Sequence, residues 1–293
     1  MAVCQARASQ EGQSLWESLA QQFETKDSFL LPTPMMNVIN GGQHADSGLS
    51  FQECMIIPHD FNTFTDALRA GAEVFHHLKK LLKDAGHIVS VGDEGGFAPH
   101  VNNADEAFDF LMQAIEAAGH TGKMRLAIDA AASEFHKDGV YDVDGKNLSS
   151  EELTQYYVEL ADKYPLVSME DTHDEDDWDG FAAAVAAIGD RVQIVGDDLL
   201  VTNVSRIKDC IEKKAANSVL IKVNQIGSIT ETVDAIRLAQ ENGWTAVVSH
   251  RSGETEDTFI SHLAVGLNVG QIKTGSHSRT DRVCKYNELL RIE

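Results

Sequence analysis

The sequence predicts a single α/β barrel, on three observations: eight brief apolar runs punctuate the chain, helix-period segments separate them, and six of the runs in succession end in an ionisable side chain. At 293 residues the chain can bury a sizeable core, and it falls in the range where an α/β barrel forms one domain. There are only five prolines to interrupt the alternation.

The elements follow in order. The opening "MAVCQARASQEGQSLWESLAQQF" lacks the basic-then-apolar order of a signal peptide. The first two runs, "LLPTPMMNVIN" and "FQECMIIP", come without a helix between them. Residues 61–85 then repeat apolar side chains at Phe64, Leu68, Phe75, Leu78 and Leu82, the spacing of a helix with one buried stripe. "SVGDEGGFAP" at 90–99 sets Asp93 and Glu94 among three glycines, and is either a surface turn or a loop that carries a carboxylate to a reaction centre. Residues 104–118 repeat the helical pattern at Phe108, Leu111, Met112 and Ile115. The remaining runs are "MRLAID", "LVSMED", "VQIVGDD", "SVLIKV", "TAVVSH" and "GQIKTG", each followed by a helical segment such as "SSEELTQYYVELADKY". That alternation implies parallel strands covered by helices, and eight parallel strands close into a barrel.

Asp and Glu total 46 against 24 Lys and Arg, a formal charge of -22. Nucleic-acid affinity comes largely from cations on phosphates, so a nucleic-acid partner is not expected. The four cysteines, Cys4, Cys54, Cys210 and Cys284, form no C-x-x-C pair and no metal-ligand spacing, which fits thiols packed as small apolar groups in a reducing cytosol. No run is apolar for the length that crosses a bilayer, so a soluble, cytoplasmic protein without a membrane partner is expected.

The charged ends of the last six runs are Asp129, Glu170, Asp197, Lys222, His250 and Lys273. Buried parallel strands read as near-continuous Val, Ile and Leu, so a charge there must leave the packed layer at the carboxyl end, where barrels of this kind build their active sites. Asp129, Glu170 and Asp197 offer oxygen ligands only, which suits a hard cation such as Mg²⁺. Lys222, beside that cation and Lys273, has its ammonium form disfavoured and becomes a candidate base. An ordinary ion pair between either lysine and these acids accounts for the pattern equally well.

"LPTPMMNVINGGQHAD", "FQECMI", "GDEGGFAP", "AIDAAASEF", "MEDTHDEDDW", "GDDLLVTN", "KVNQIGS", "SHRSGETEDT" and "QIKTG" resemble, in order, the signature segments of the enolase family, the glycolytic phosphopyruvate hydratases. The resemblance implies a TIM-like barrel of the β2α2(βα)6 type, in which two strands and then two helices precede the regular units. It implies Mg²⁺ held by Asp129, Glu170 and Asp197, removal of the C2 proton of 2-phosphoglycerate by Lys222, and Lys273 facing the carboxylate as it gains charge. Glu94 then protonates the departing C3 hydroxyl, supported by Glu53, with Gly92, Gly95 and Gly96 letting the backbone bring Glu94 over the substrate. Arg251 and Ser252 grip the phosphate, His44 and His250 line the pocket, and Gln52 lies close by.

The resemblance also implies differences. Residues 1–30 are similar only to the last helical part of the smaller domain that opens the family's chains, leaving 31–293 as the barrel. The family draws a serine-bearing closing loop and much of its homodimer contact from that domain, so a complete lid is not expected and a homodimer is disfavoured. Thr172 stands where a proline normally follows Glu-Asp, Cys54 replaces an aromatic, and His277 replaces a small residue. The acidic run from Asp171 to Asp177 reads as a solvated loop and helix start. Asp198 reads as a hydrogen-bonding support for its neighbour, His76 and His77 as surface residues, and "NLS" and "NVS" as glycosylation patterns without meaning in the cytosol. Two alternatives stand beside a Mg²⁺-dependent hydro-lyase. One is a non-catalytic, enolase-derived interaction protein. The other is a related racemase or sugar-acid dehydratase, which needs a K-x-K motif that neither "FQECMI" nor "MRLAID" contains.

Overall fold

A computed structural model describes residues 1–25, 28–42 and 47–293. Helices α1 (Ala2–Glu11) and α2 (Leu15–Gln22) come first. Ser14 and Glu17 close a reciprocal capping box at the start of α2. Strands β1 (Thr33–Asn40) and β2 (Glu53–Pro58) follow, then α3 (Phe64–Asp84) and α4 (Ala104–Ala117). The predicted stripe on α3 is buried at Phe64, Phe75, Leu78 and Leu82, with Leu68 partly buried, and the α4 stripe at Phe108, Leu111 and Ile115.

From β3 (Met124–Asp129) the chain makes an excursion that the sequence pattern did not reveal. A 3₁₀ turn (Ala132–Phe135) leads into a three-stranded antiparallel sheet of β4 (His136–Lys137), β5 (Val140–Val143) and β6 (Lys146–Leu148). These strands are two to four residues long, too short to show a period. Helix α5 (Ser150–Lys163) then returns the chain to β7 (Leu166–Glu170). The regular units that follow are α6 (Trp178–Ile188), β8 (Gln193–Gly196), α7 (Val204–Lys213) and β9 (Ser218–Ile221). A single turn α8 (Val223–Ile226), α9 (Ile229–Glu241), β10 (Thr245–Ser249), α10 (Phe259–Gly266), β11 (Gln271–Lys273) and α11 (Thr280–Ile292) complete the chain.

Eight of the strands close a barrel in the order β1-β11-β10-β9-β8-β7-β3-β2. They are not all parallel, as the alternation had implied. β2 runs antiparallel to both of its neighbours, and the other six pairings are parallel. The reason is in the connections: among the described residues between β1 and β2 there is no α-helix, whereas a parallel return needs a crossover, usually a helix. The barrel interior is a small apolar layer that includes Met35, Met55, Ala127, Val195, Leu220 and Val247. A much larger cluster fills the space between strands and helices. Cys4, Cys54 and Cys210 are buried free thiols, and Cys284 is half-buried and free. Among the described residues no helix is long and apolar enough to cross a membrane.

Candidate active site

Strand geometry gathers the charged residues. Asp129, Glu170 and Lys273 are the last residues of β3, β7 and β11, and Asp197, Lys222 and His250 come directly after β8, β9 and β10. Antiparallel β2 adds one more from its beginning. Glu53, its first residue, pairs with Asn40 on one side and Asp129 on the other, so a strand start lies at the rim formed by strand ends. Gln52, Glu53, Glu94 and these six residues, with Ser249, Arg251 and Ser252, line one cavity of about 30 Å³.

The loop at 90–99 is not a surface turn: Glu94 is only 2% exposed. Phe97 N–H bonds the Val38 carbonyl at 2.9 Å, and Asn40 N–H bonds the Phe97 carbonyl at 2.8 Å, which ties the loop to the end of β1. On its other side Ser276 N–H donates to the Glu94 carbonyl at 2.9 Å and Ser278 Oγ to the Gly95 carbonyl at 2.7 Å. Gly95 has φ +85°, and a Cβ on Gly96 would lie 2.3 Å from Asn40 Oδ1, so each glycine is required for a different reason. Gly92 takes part in the same turn, donating its N–H to the Gly96 carbonyl at 2.8 Å and accepting from Gly95 N–H at 3.1 Å.

The side chains form a dense ionic network. Lys273 Nζ lies 3.0 Å from Asp129 Oδ2, 2.9 Å from both oxygens of Glu170 and 3.2 Å from Glu53 Oε1. Burial alone lowers that ammonium, but Asp129, Glu170, Glu53 and Glu94 together hold it well above its ordinary value. Lys222 Nζ donates to Asp197 Oδ2. Burial pushes Glu53 well above the usual carboxylate range, reinforced by neighbouring Glu94 and opposed by Lys273; a hydrogen bond to Glu94 adds to the rise. Two carboxyl groups can bond each other only through a proton, so burial and this neighbour both favour the neutral form of Glu53. Asn37 Nδ2 donates to Glu94 Oε2 at 2.9 Å, and Gln52 Nε2 to Asp129 Oδ2 at 3.3 Å.

The structure alters several expectations. Burial lowers Lys222, but the Asp197 carboxylate beside it overcomes that and holds the ammonium above its ordinary value, whereas the lowered amine was expected beside a bound cation. The ion-pair reading is thus what this ligand-free network displays for both lysines. Asp171 is not solvated. It is 5% exposed, adopts φ 43°, and its two oxygens accept from Asp197 N–H at 2.8 Å and Asp198 N–H at 2.9 Å, which positions Asp197 from behind. Asp177 caps α6 and accepts from Tyr141 Oη at 2.8 Å rather than facing water alone. Asp198 is exposed, as are His76 and His77. Arg251 is half-buried with Nη1 donating to Asn224 Oδ1 at 2.8 Å, and Ser252 is exposed at the rim. His44 lies outside the described residues.

Arg282 and Asn37 escaped the sequence reading. Asn37 lies inside an apolar strand and gives no signal of its own. Arg282 had one: on α11 the buried positions are Arg282, Lys285, Tyr286 and Leu289, a helical stripe in which two of four members are cations.

The donor set suits a hard cation. Five carboxyl groups, Glu53, Glu94, Asp129, Glu170 and Asp197, face two ammonium groups in the cavity, and Asp197 Oδ1 is buried without a hydrogen-bond partner. All these donors are oxygens. Among the described residues, the groups whose ligand atoms lie within 4.8 Å of one another are Glu53 with Glu94 and His250, and Asp171 with Asp197 and Asp198. The expected trio of Asp129, Glu170 and Asp197 is not drawn that close, because Lys273 pairs with the first two while Lys222 pairs with the third. Compared with known families, residues 28–293 match the family described as enolase, C-terminal TIM barrel domain.

Proposed function

Because the chain belongs to the family of enolase C-terminal TIM barrel domains, we propose that it removes water from 2-phosphoglycerate in a Mg²⁺-dependent reaction that yields phosphoenolpyruvate. The observation that supports this reading best is the placing of two lysines and two adjacent carboxyl groups, Glu53 and Glu94, around one cavity: a candidate base, a fixed positive charge and a candidate acid within a single substrate's reach.

Asp129, Glu170 and Asp197 are the residues to hold Mg²⁺, which when bound supplies positive charge to offset the substrate carboxylate. With Asp197 turned to a cation rather than to Lys222, the ammonium would lose its main partner and, once neutral, Lys222 Nζ would take the proton from C2. Lys273 stays an ammonium and faces the carboxylate as it takes on a second negative charge. The Glu53–Glu94 pair then gives its proton to the C3 hydroxyl through Glu94. The C3–O bond breaks, water leaves and the C2–C3 double bond forms. Arg251, whose fork matches phosphate oxygens, and Ser252 receive the phosphate at the rim. A second cavity of about 210 Å³ adjoins there, sharing Ser249 and Arg251 with the first, and gives that end of the substrate room.

Two half-reactions separate these roles. In deuterated water with Mg²⁺, the chain should exchange the C2 proton of 2-phosphoglycerate. Lys222→Ala should lose that exchange by roughly a hundredfold or more, while Glu94→Gln should keep part of it and lose phosphoenolpyruvate formation. Exchange at the parent rate in Lys222→Ala would remove the base, and with it the proposed reaction.

A further inference from the structure

Arg282, on α11, is fully buried, and the steps above make no use of it. Its guanidinium reaches two loops of the site at once. Nη1 donates to Nδ1 of His250 and to the Arg251 carbonyl at 2.7 Å; Nη2 donates to the Ser252 carbonyl at 2.7 Å and to the Asp93 carbonyl at 3.2 Å. Gly275 leaves the room for it, since a Cβ there would lie 2.8 Å from Arg282 Cδ.

A guanidinium offers only donors. The imidazole nitrogen facing it must therefore accept, and the single proton of a neutral ring must sit on the other nitrogen. Burial keeps the ring neutral by pushing His250 down to about 3, despite the nearby Glu94. The other nitrogen, Nε2, is buried without a hydrogen-bond partner and lies 3.4 Å from Glu94 Oε1. We propose that Arg282 is a positioning residue that fixes His250 in its Nε2–H tautomer, so that the ring presents a donor to the Glu94 carboxyl group. The opposite tautomer sets a lone pair against an acidic oxygen and pushes Glu94 away from its place beside Glu53. The same guanidinium clamps the Asp93–Glu94 backbone to the loop that carries Arg251 and Ser252. The bearing of this device on dehydration rests on the function proposed above; the tautomer itself does not.

The tautomer is read directly by NMR of the full chain labelled with ¹⁵N in its histidine rings, near pH 7 and without substrate. His250→Gln identifies the His250 signals among the 12 histidines. The parent should show the proton on Nε2. Arg282→Met, which removes every donor while keeping length, should lose that single form and populate Nδ1–H, and Arg282→Lys, which keeps one cationic donor, should recover Nε2–H. A parent proton on Nδ1 would overturn the proposal, as would an Arg282→Met spectrum unchanged from the parent. Should Arg282→Met fail to fold, the parent spectrum still decides the tautomer, and loss of Nε2–H in a folded Arg282→Lys counts against the positioning role. Since no substrate is present, failure of this test leaves the dehydration reading standing, and the reverse holds as well.

Discussion

His277 sits between β1 and α11, with Nε2 3.0 Å from Met36 Sδ and its ring stacked on Tyr286 at 5.8 Å between centroids. Gly71 on α3 makes the space, because a Cβ there would lie 2.7 Å from His277 Nε2. Phe75 faces it from the same helix. Burial pushes the imidazole down to about 4, with His76 adding to the fall. In the unfolded chain the ring takes a proton near pH 6.5, whereas the folded chain resists until about pH 4. Stability contributed by the neutral ring is therefore complete above pH 6.5 and lost as pH falls through that window, by about 2–3 kcal/mol. Urea unfolding of His277→Leu at pH 7 and pH 4.5 should show that much less acid loss than the parent. Equal acid loss in both proteins would mean that His277 already binds its proton in the fold.

At the scale of elements, the docking of α2 on α10 turns on one glycine. Gly266 ends α10, and a Cβ there would lie 2.6 Å from the Trp16 carbonyl and 3.1 Å from Leu19 Cβ. Gly266→Ala gains at most about 1 kcal/mol of helix propensity, less at a helix end, whereas wedging a methyl group against backbone costs about 1–3 kcal/mol. The clash wins. The variant should exchange its α2 amides faster while β3, β7 and β8 keep their protection, since those strands lie in the barrel away from β10 and β11, on which α10 packs. Unchanged α2 protection would show that the helix pair shifts to admit the methyl group. A similar logic governs the loop at 90–99, where Gly95 and Gly96 are fixed by a positive φ and by the Asn40 side chain.

For the whole molecule, the feature that matters most is charge. The chain carries -22 overall, and five of its buried carboxyl groups meet in one cavity with two lysines. A divalent cation bound only by the folded state adds stability by mass action, about 2.7 kcal/mol at a hundred times its dissociation constant. In a domain of this size that corresponds to a rise in Tm of about 5 °C. Millimolar Mg²⁺ should raise the melting temperature by that order against a chelated sample of matched ionic strength, and Asp197→Asn should lose most of the rise. An equal rise in both proteins would assign the effect to screening of surface charge rather than to the cavity.

The eight strands, the two helices before the regular units and the ring of ionisable strand ends were all legible in the sequence, because each is a local pattern. Period, length and terminal residue can be read without knowing what packs on what. Asp129, Glu170, Asp197, Lys222, His250 and Lys273 belong to this group. What the sequence by itself left undetermined depends on contacts between distant segments. The antiparallel run of β2 puts Glu53 at the rim, and only its pairing with β1 and β3 shows this. Asp171 reads as one acid among several until the fold buries it beneath Asp197. Lys222 reads as an amine lowered beside a cation, and only the fold shows Asp197 bonded to it and Glu170 near enough to favour its charged form. Arg282 lies 32 residues from His250 in the chain, and the orientation of that imidazole follows from nothing nearer. Side-chain type and spacing follow from covalent order, whereas charge state and tautomer follow from which groups the tertiary structure places within a few ångströms, and those groups lie on different elements.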